Sequence, residues 1–340
     1  MGAPLGRDTC YTEVAMTLQR DNSPFAAFNV LSLDGGGLKG IYSAAVLAAL
    51  EEDYDVRIAD HVDLIVGTST GGILALGLGA GLSPGEMLEF YCDHSSTIFP
   101  GRRKGPGLVR RRYSSAPLRQ HLDEVLGEMR FGQSETRLLV SAYDIDSDDV
   151  YLFRTPHAPH LRRDWRVPMV DVALATSAAP GYFAPHSLDG MRLIDGGVFA
   201  NNPAMLGMIE AAHFCRQPFE TIRMLSIGTT TEHNVTSRNR LLLGGLLQYR
   251  GSLPGYVMRG QSRTAENHPS LLIPGGHFTR VDPTVPAGMA SLDSLDPVDL
   301  IGRARADSRR VGADLGAFFA HERNAYQPLQ PGIAREEATV

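Results

Sequence analysis

Ser69 stands between two glycines in Gly67-Thr68-Ser69-Thr70-Gly71, the G-x-S-x-G spacing of a nucleophile elbow. Such a turn leads from a strand into a helix. It is crowded and strained, so its neighbours must be small if the hydroxyl is to stand clear of the backbone. Leu64-Ile65-Val66 supplies an apolar strand before it, and an apolar helical run follows from Ile73. A helix that starts at the serine also favours negative charge beside it. In a chain with 36 glycines the pentapeptide alone is a weak signal, and its context makes it better than chance.

Asp34-Gly35-Gly36-Gly37-Leu38-Lys39-Gly40 follows a second apolar strand, Val30, Leu31 and Leu33. Three successive glycines let backbone N–H groups converge on one point with no side chains in the way. That is the requirement of an oxyanion hole, with Gly35, Gly36 and Gly37 as the expected donors. Gly35, Gly37 and Gly40 also satisfy G-x-G-x-x-G, a dinucleotide signature. That reading requires an acidic residue at the end of the next strand, where this chain has Gly67 and the Ser69 turn. A Walker loop fails, because no Gly-Lys-Ser/Thr follows.

Asp195-Gly196-Gly197 closes a short strand at Met191–Ile194. A carboxylate at a strand end, with glycines leaving room around it, can reach across a cleft and take the proton of Ser69 as general base. Locally the same residues read as an Asp-Gly hairpin turn, and only the other two motifs lift Asp195 above that. Histidine is the usual base in such a set. His213 lies inside a helix and His186 follows Pro185, which marks both as structural. His277, beside Gly275-Gly276, is the best of the rest, and the residues alone leave a histidine base open. No histidine pair has helical ligand spacing, so neither a metal nor a cofactor is expected.

These motifs need a scaffold, and the 340-residue chain is long enough to bury a large core. At 43% hydrophobic and 21% charged it is not a disordered chain, and a net charge of -6 argues against a nucleic-acid polymer as partner. Cys10, Cys92 and Cys215 are too scattered for a disulfide framework or a zinc site, which fits a reducing cytoplasm. The charged N-terminus lacks the apolar core of a secretory signal. Leu64–Gly85 carries no charge and could mislead a hydropathy scan, but its glycines and hydroxyls suit a strand, a turn and a buried helix better than a membrane span.

Strands are expected at Leu138–Tyr143, Val150–Arg154, Met191–Ile194 and Ile222–Ile227, beside the two already named. Helices are expected at Ile41–Glu52, from Ile73, from the Ser83-Pro84-Gly85-Glu86 capping box, and at Ala116–Glu128, Val170–Thr176 and Pro203–Phe214. A last helix, capped by Asp296, carries Ile301, Ala304, Ser308, Val311, Leu315 and Phe318 at steps of three and four. The alternation gives an α/β fold of three layers, α/β/α, with a mostly parallel central sheet. Residues 1–26 read as an arm, 27–326 as one catalytic domain whose part from about 231 is helical, and 327–340 as a tail.

Gly101–Arg119 carries seven basic residues and no acid. It reads equally as a contact for phospholipid headgroups or nucleotide phosphates and as a solvated loop balancing acids elsewhere. The apolar run Leu241–Leu247 fits a core segment, or a lid or membrane-contacting helix.

In their order, the DGGG, G-x-S-x-G and DGG motifs, with Ala175-Thr176-Ser177-Ala178-Ala179-Pro180-Gly181-Tyr182-Phe183 between the last two, resemble the patatin-like phospholipase family over residues 28–230. The resemblance implies lipid acyl hydrolysis by a Ser–Asp dyad without histidine or metal: Ser69 as nucleophile, Asp195 as base, Gly35–Gly37 as oxyanion hole. The runs Phe28–Asp34, Val198–Pro203 and Gly260–Leu272 resemble bacterial patatin-like effectors of CBASS anti-phage systems. That implies a cytoplasmic enzyme switched on by a cyclic di- or trinucleotide to attack membrane phospholipid, through transient contact at the inner face of the membrane and with homo-oligomer formation on activation. The ligand-sensing surface is then expected after Ile227 and in Gly101–Arg119. An ungated housekeeping hydrolase is the alternative on the same fold, and a non-catalytic binding module is disfavoured by the intact motifs.

Overall fold

The computed structural model describes residues 26–100, 111–232, 253–285, 297–323 and 326–327. Nearly all of the expected arm and tail lie outside these residues, as do Leu241–Leu247, Asp296, and Arg102, Arg103, Lys104 and Arg110 of the basic segment.

Four parallel strands form the middle of the sheet. They are β1 (Phe28–Leu33), β2 (Leu64–Thr68), β3 (Arg137–Asp144) and β7 (Ile222–Ile227), and β9 (Phe278–Val281) extends them beyond β7. On the other flank β4 (Asp149–Arg154) and β6 (Met191–Asp195) run antiparallel to β3, and β5 (His186–Leu188) pairs with β6. The full order is β5-β6-β3-β2-β1-β7-β9, with β4 against β3. A separate short parallel pair joins β8 (Thr231–Glu232) to β10 (Thr284–Val285).

β1 and β2 are buried along their whole length. Strands covered on both faces read as unbroken apolar runs, because alternate residues serve opposite cores. Leu31, Leu33 and Ile65 join one core with α1 (Gly40–Tyr54), α2 (Thr70–Gly79), α3 (Pro84–Ile98), α4 (Ala116–Leu126), α5 (Met169–Thr176) and α9 (Pro297–Gly312). Val30, Leu64 and Val66 join the other with Ala204 and Met208 of α7 (Ala204–Ile209). The expected α/β/α layering is present, and the uncharged stretch Leu64–Gly85 is β2, α2 and the start of α3.

Local chemistry explains most boundaries. α3 starts with the capping box: Glu86 N–H donates to Ser83 Oγ at 3.1 Å, and Ser83 N–H donates to Glu86 Oε2 at 2.7 Å. Two helices differ from expectation. The segment expected as Pro203–Phe214 is α7 followed by a single π-helical turn, Glu210–Phe214. The last helix stops at Gly312, where the Tyr54 hydroxyl donates to the Gly312 carbonyl. A separate turn, α10 (Gly316–Phe319), then packs Leu315 and Phe318 into the core. Asn29 Nδ2 donates to Phe318 O at 2.7 Å, a tie across 289 residues that no local periodicity reveals.

Candidate active site

Ser69 has φ 56° and ψ -122° between the last residue of β2 and the first of α2. A non-glycine residue with positive φ is strained, and it is held here by a tight surround. A Cβ on Gly71 would lie 2.2 Å from Leu33 O, and one on Gly67 would lie 2.4 Å from Gly71 O. Both flanking glycines are therefore steric requirements of the turn. Thr176 Oγ1 accepts from Ser69 N–H at 2.9 Å and donates to Ser141 O at 2.7 Å, which ties the turn to α5 and β3.

Register brings Asp195 to the same place. β4 takes one edge of β3, so β2 and β6 share the other. β2 ends with Thr68 opposite Ser141, and Asp195 of β6 pairs with the next residue, Ala142. The two strands thus meet end to end, so that Ser69 and Asp195 line one cavity and the Ser69 hydroxyl stabilises the charged form of the Asp195 carboxylate. Gly197 N–H holds Asp195 Oδ1 at 2.7 Å. Burial lifts the Asp195 carboxyl to about 6, although Ser69 and the Gly197 N–H both pull it down.

The glycine loop differs from expectation at one position. Gly35 N–H donates to Asn201 O at 2.9 Å, and Gly35 O accepts from Thr229 Oγ1 at 2.9 Å and Asn201 Nδ2 at 3.2 Å. Both polar groups of Gly35 are engaged, so it anchors the loop instead of offering a donor. No described hydrogen bond uses the N–H of Gly36 or Gly37, and both residues line the cavity beside Ser69. Gly37 has φ 60°, and a Cβ on Gly36 would lie 2.2 Å from Thr229 Oγ1. Asp34 secures the loop from below: Arg280 of β9 grips both its oxygens at 2.8 and 2.6 Å and also reaches Asp282 at 3.1 Å.

Ser69 and Asp195 open into a cavity of about 590 Å³ with an apolar wall that includes Phe90, Ile98 and Phe99 of α3, Leu118 of α4 and Phe183. α8 (Leu253–Leu272) adds Leu253, Val257 and Met258, which with Val198 form a rim of large apolar side chains left 38–49% exposed. No histidine among the described residues lines this cavity. His277 lies at the other end of β9 from Arg280's partner Asp34, its carbonyl bonded to Met224 N–H. His186 pairs with Asp171 at 3.1 Å. One group among the described residues has metal-ligand geometry, His94 of α3 with His121 and Glu124 of α4, their ligand atoms within 4.8 Å of one another. It spans two helices, so spacing along the sequence could not reveal it, and it adds nothing to the wall around Ser69.

Three supporting residues carried no signal of their own: Arg280, Thr229 and Asn201. Asn201 sits in a run singled out by resemblance but without a role. Arg280 lies 246 residues from Asp34 on a strand the sequence pattern did not predict.

The structure thus places a strained serine on a strand–helix turn, a buried aspartate and an open glycine loop around one apolar cavity. Residues 31–208 fit the description patatin-like phospholipase. The chain belongs to that family. As one of its members it is a lipid acyl hydrolase by class. A cGAMP-activated phospholipase of Escherichia coli (strain TW11681) is 38% identical over 221 residues, 60% of this chain and 62% of that protein. A cGAMP-activated phospholipase of Vibrio cholerae serotype O1 is 34% identical over 302 residues, 78% of this chain and 84% of its relative. One from Pseudomonas aeruginosa is 34% identical over 279 residues, 80% of this chain and 84% of that one. VipD from Legionella pneumophila shares the fold, with a TM-score of 0.50 at 11% identity over 88% of this chain and 68% of its own. No helix among the described residues is long and apolar enough to cross a membrane.

Proposed function

We propose that this patatin-like chain is a cytoplasmic phospholipase, gated by a cyclic nucleotide, that degrades membrane lipid in anti-phage defence. The observation that carries the chemistry is a strained Ser69 and a buried Asp195 lining the same apolar cavity. Asp195 accepts the Ser69 proton as Ser69 Oγ attacks the acyl carbonyl, and the developing oxyanion takes the N–H groups of Gly36 and Gly37. Asp195 then returns the proton to the departing lysolipid oxygen. The acyl-Ser69 ester is cleared by water activated by the same carboxylate. Because the Asp195 carboxyl is lifted to about 6, it is a stronger base than a free aspartate and still ionised at neutral pH.

The substrate class follows from the wall and the rim. Acyl chains suit an apolar cavity of this size, and Val198, Leu253, Val257 and Met258 suit a transient seat at a lipid surface in a protein without a described spanning helix. Gating is supported by the three cGAMP-activated relatives. Assembly into a homo-oligomer on activation belongs to the same reading.

The test is hydrolysis of a fluorogenic phospholipid by the purified protein, alone and with a panel of cyclic di- and trinucleotides. Silence alone and a burst with one nucleotide is the expected result. Ser69→Ala and Asp195→Asn are each expected to lower the stimulated rate by about 10⁴-fold with unfolding temperatures near the parent's. Retained activity in either variant removes the dyad. Equal rates in every well make the protein an ungated lipid hydrolase.

A further inference from the structure

A second cavity lies at the opposite end of the same strands. β1 begins at Phe28 and β3 begins at Arg137, and both residues line a space of about 840 Å³ completed by His157–His160 and Ala212–Gln217. Six residues of extended β1 separate it from the glycine loop, roughly 20 Å. Its chemistry is the reverse of the catalytic cavity's. Among the described residues Arg137, His160, His213 and Arg216 face it, and no carboxylate does. Two buried acids lie near it and both are partnered: Glu210 by Arg154 at 2.8 and 2.9 Å and His157 at 3.0 Å, and Asp63 by His321 at 2.7 Å and Asn29 N–H at 2.8 Å.

Among the described residues none of Arg137, His160, His213 and Arg216 is held in an ion pair. Among the described residues Arg137 donates one hydrogen bond, Nη1 to Asp63 O at 3.2 Å, and its guanidinium lies over the rings of Phe28 and Tyr326. Arg216 has no described ion pair, and it holds φ 57°, an uncommon conformation for a residue with a Cβ. It follows directly on the π-helical turn that presents His213 and Phe214, and single π turns cluster at functional sites. Phe214 packs against both His160 and His213. Guanidinium groups beside aromatic planes are the recognition chemistry of phosphate joined to a heteroaromatic base.

We propose that this cavity is the site of the activating cyclic nucleotide, with Arg137, Arg216, His160 and His213 taking its phosphates and Phe214 packing against a base. The site deepens the gated reading above and rests on it. It also departs from the surfaces first expected, after Ile227 and within Gly101–Arg119. One continuous segment joins the two cavities. Asp195 and Asn201 line the catalytic cavity, and Asn201 clamps Gly35. α7 then crosses the sheet, with Gly207 against Val30 and Val66, and ends in the π turn and Arg216. A ligand that draws on Phe214 and Arg216 therefore pulls on the helix whose other end fixes the oxyanion loop.

The experiment is calorimetric titration of full-length protein carrying Ser69→Ala, a background that does not consume lipid, with cGAMP and separately with pyrophosphate. Binding of cGAMP is expected, weakened about tenfold or more by adding Arg216→Glu or Phe214→Ala and largely kept by Arg216→Lys. Pyrophosphate is expected to bind at least about a hundredfold more weakly, because it offers nothing to stack. With Ser69 restored, Arg216→Glu should move the cGAMP activation curve to correspondingly higher concentration. If cGAMP binds the parent and the Arg216→Glu and Phe214→Ala proteins equally, the site lies elsewhere and the gated reading survives. If pyrophosphate binds as tightly as cGAMP, the cavity is a plain anion patch and the proposal falls. If the parent binds no cGAMP, the proposal and cGAMP gating fall together.

Discussion

The two ends of the central sheet are made from the same strands and opposite materials. At the carboxyl ends of β1 and β2 the chain turns through glycines, buries a serine and an aspartate, and leaves an apolar cavity. At the amino ends of β1 and β3 it gathers arginines, histidines and rings around a polar one. The difference follows from backbone geometry. At the carboxyl ends of parallel strands the next helix begins, so N–H groups converge, and glycine is needed to let them approach a reacting atom. At the amino ends the last turns of helices arrive, and recognition there depends on side chains. In the proposed reading chemistry accordingly belongs to the first end and ligand sensing to the second.

The harshest way to break that division is to put a methyl group where the first end has none. Gly71→Ala places a Cβ 2.2 Å from Leu33 O, which backbone must move to relieve. A displacement of that order at the nucleophile is expected to cut lipid hydrolysis by about 10²-fold or more, while cGAMP binding by calorimetry stays near the parent's. Loss of both together would mean that the two ends do not act as separate sites.

Next in size is Arg280→Gln. It strands the buried carboxylate of Asp34 under the glycine loop, at a cost of about 3–5 kcal/mol in chemical denaturation. Asp34→Asn in the same chain should restore much of that stability, because no buried charge is then left alone. Full stability in Arg280→Gln alone would show that the loop does not depend on this pair. The pH profile is milder. Asp195 must be ionised to act as base, and its carboxyl is lifted to about 6. The rate of hydrolysis should hold above that value and fall about tenfold for each further pH unit below it. A profile that stays flat down to about pH 5 would deny Asp195 the role of base.

The same contrast decides what could be read from the sequence. The candidate catalytic end was legible because its parts are local motifs: strand, glycine turn and helix lie within a few residues around Ser69, whereas Asp195 stands out from a hairpin turn only in the company of the other two motifs. Even there, Gly35 reads like Gly36 and Gly37. Only the Asn201 carbonyl, 166 residues away, separates an anchor from a donor. The layering was legible from buried apolar runs. The π turn was not, because an extra residue in one helical turn leaves the apolar pattern of Pro203–Phe214 nearly unchanged. The amino-terminal cavity left no trace, since Phe28, Arg137, His160 and Arg216 come from four separate segments that only the sheet brings together. Charge density pointed to Gly101–Arg119 instead, because a run of arginines is visible in one dimension and a cluster is not.

The smallest expected effect concerns the apolar rim, and it tests whether only the catalytic end meets lipid. Val257 and Met258 stand 49% and 38% exposed on α8 at the mouth above Ser69. Changing both to serine removes apolar area that would enter a bilayer interface and touches neither Ser69 nor Asp195. Hydrolysis of lipid in vesicles should fall about three- to tenfold, whereas turnover of a short soluble ester should change by less than twofold. Arg216→Glu, at the far end, should show the opposite insensitivity: with saturating cGAMP the ratio of vesicle to soluble-ester turnover is unchanged. If the rim variant loses both substrates equally, Val257 and Met258 shape the cavity instead of seating it on lipid. If Arg216→Glu alters the ratio, the basic end also lies against the membrane, and the assignment of one end to substrate and the other to signal must be abandoned.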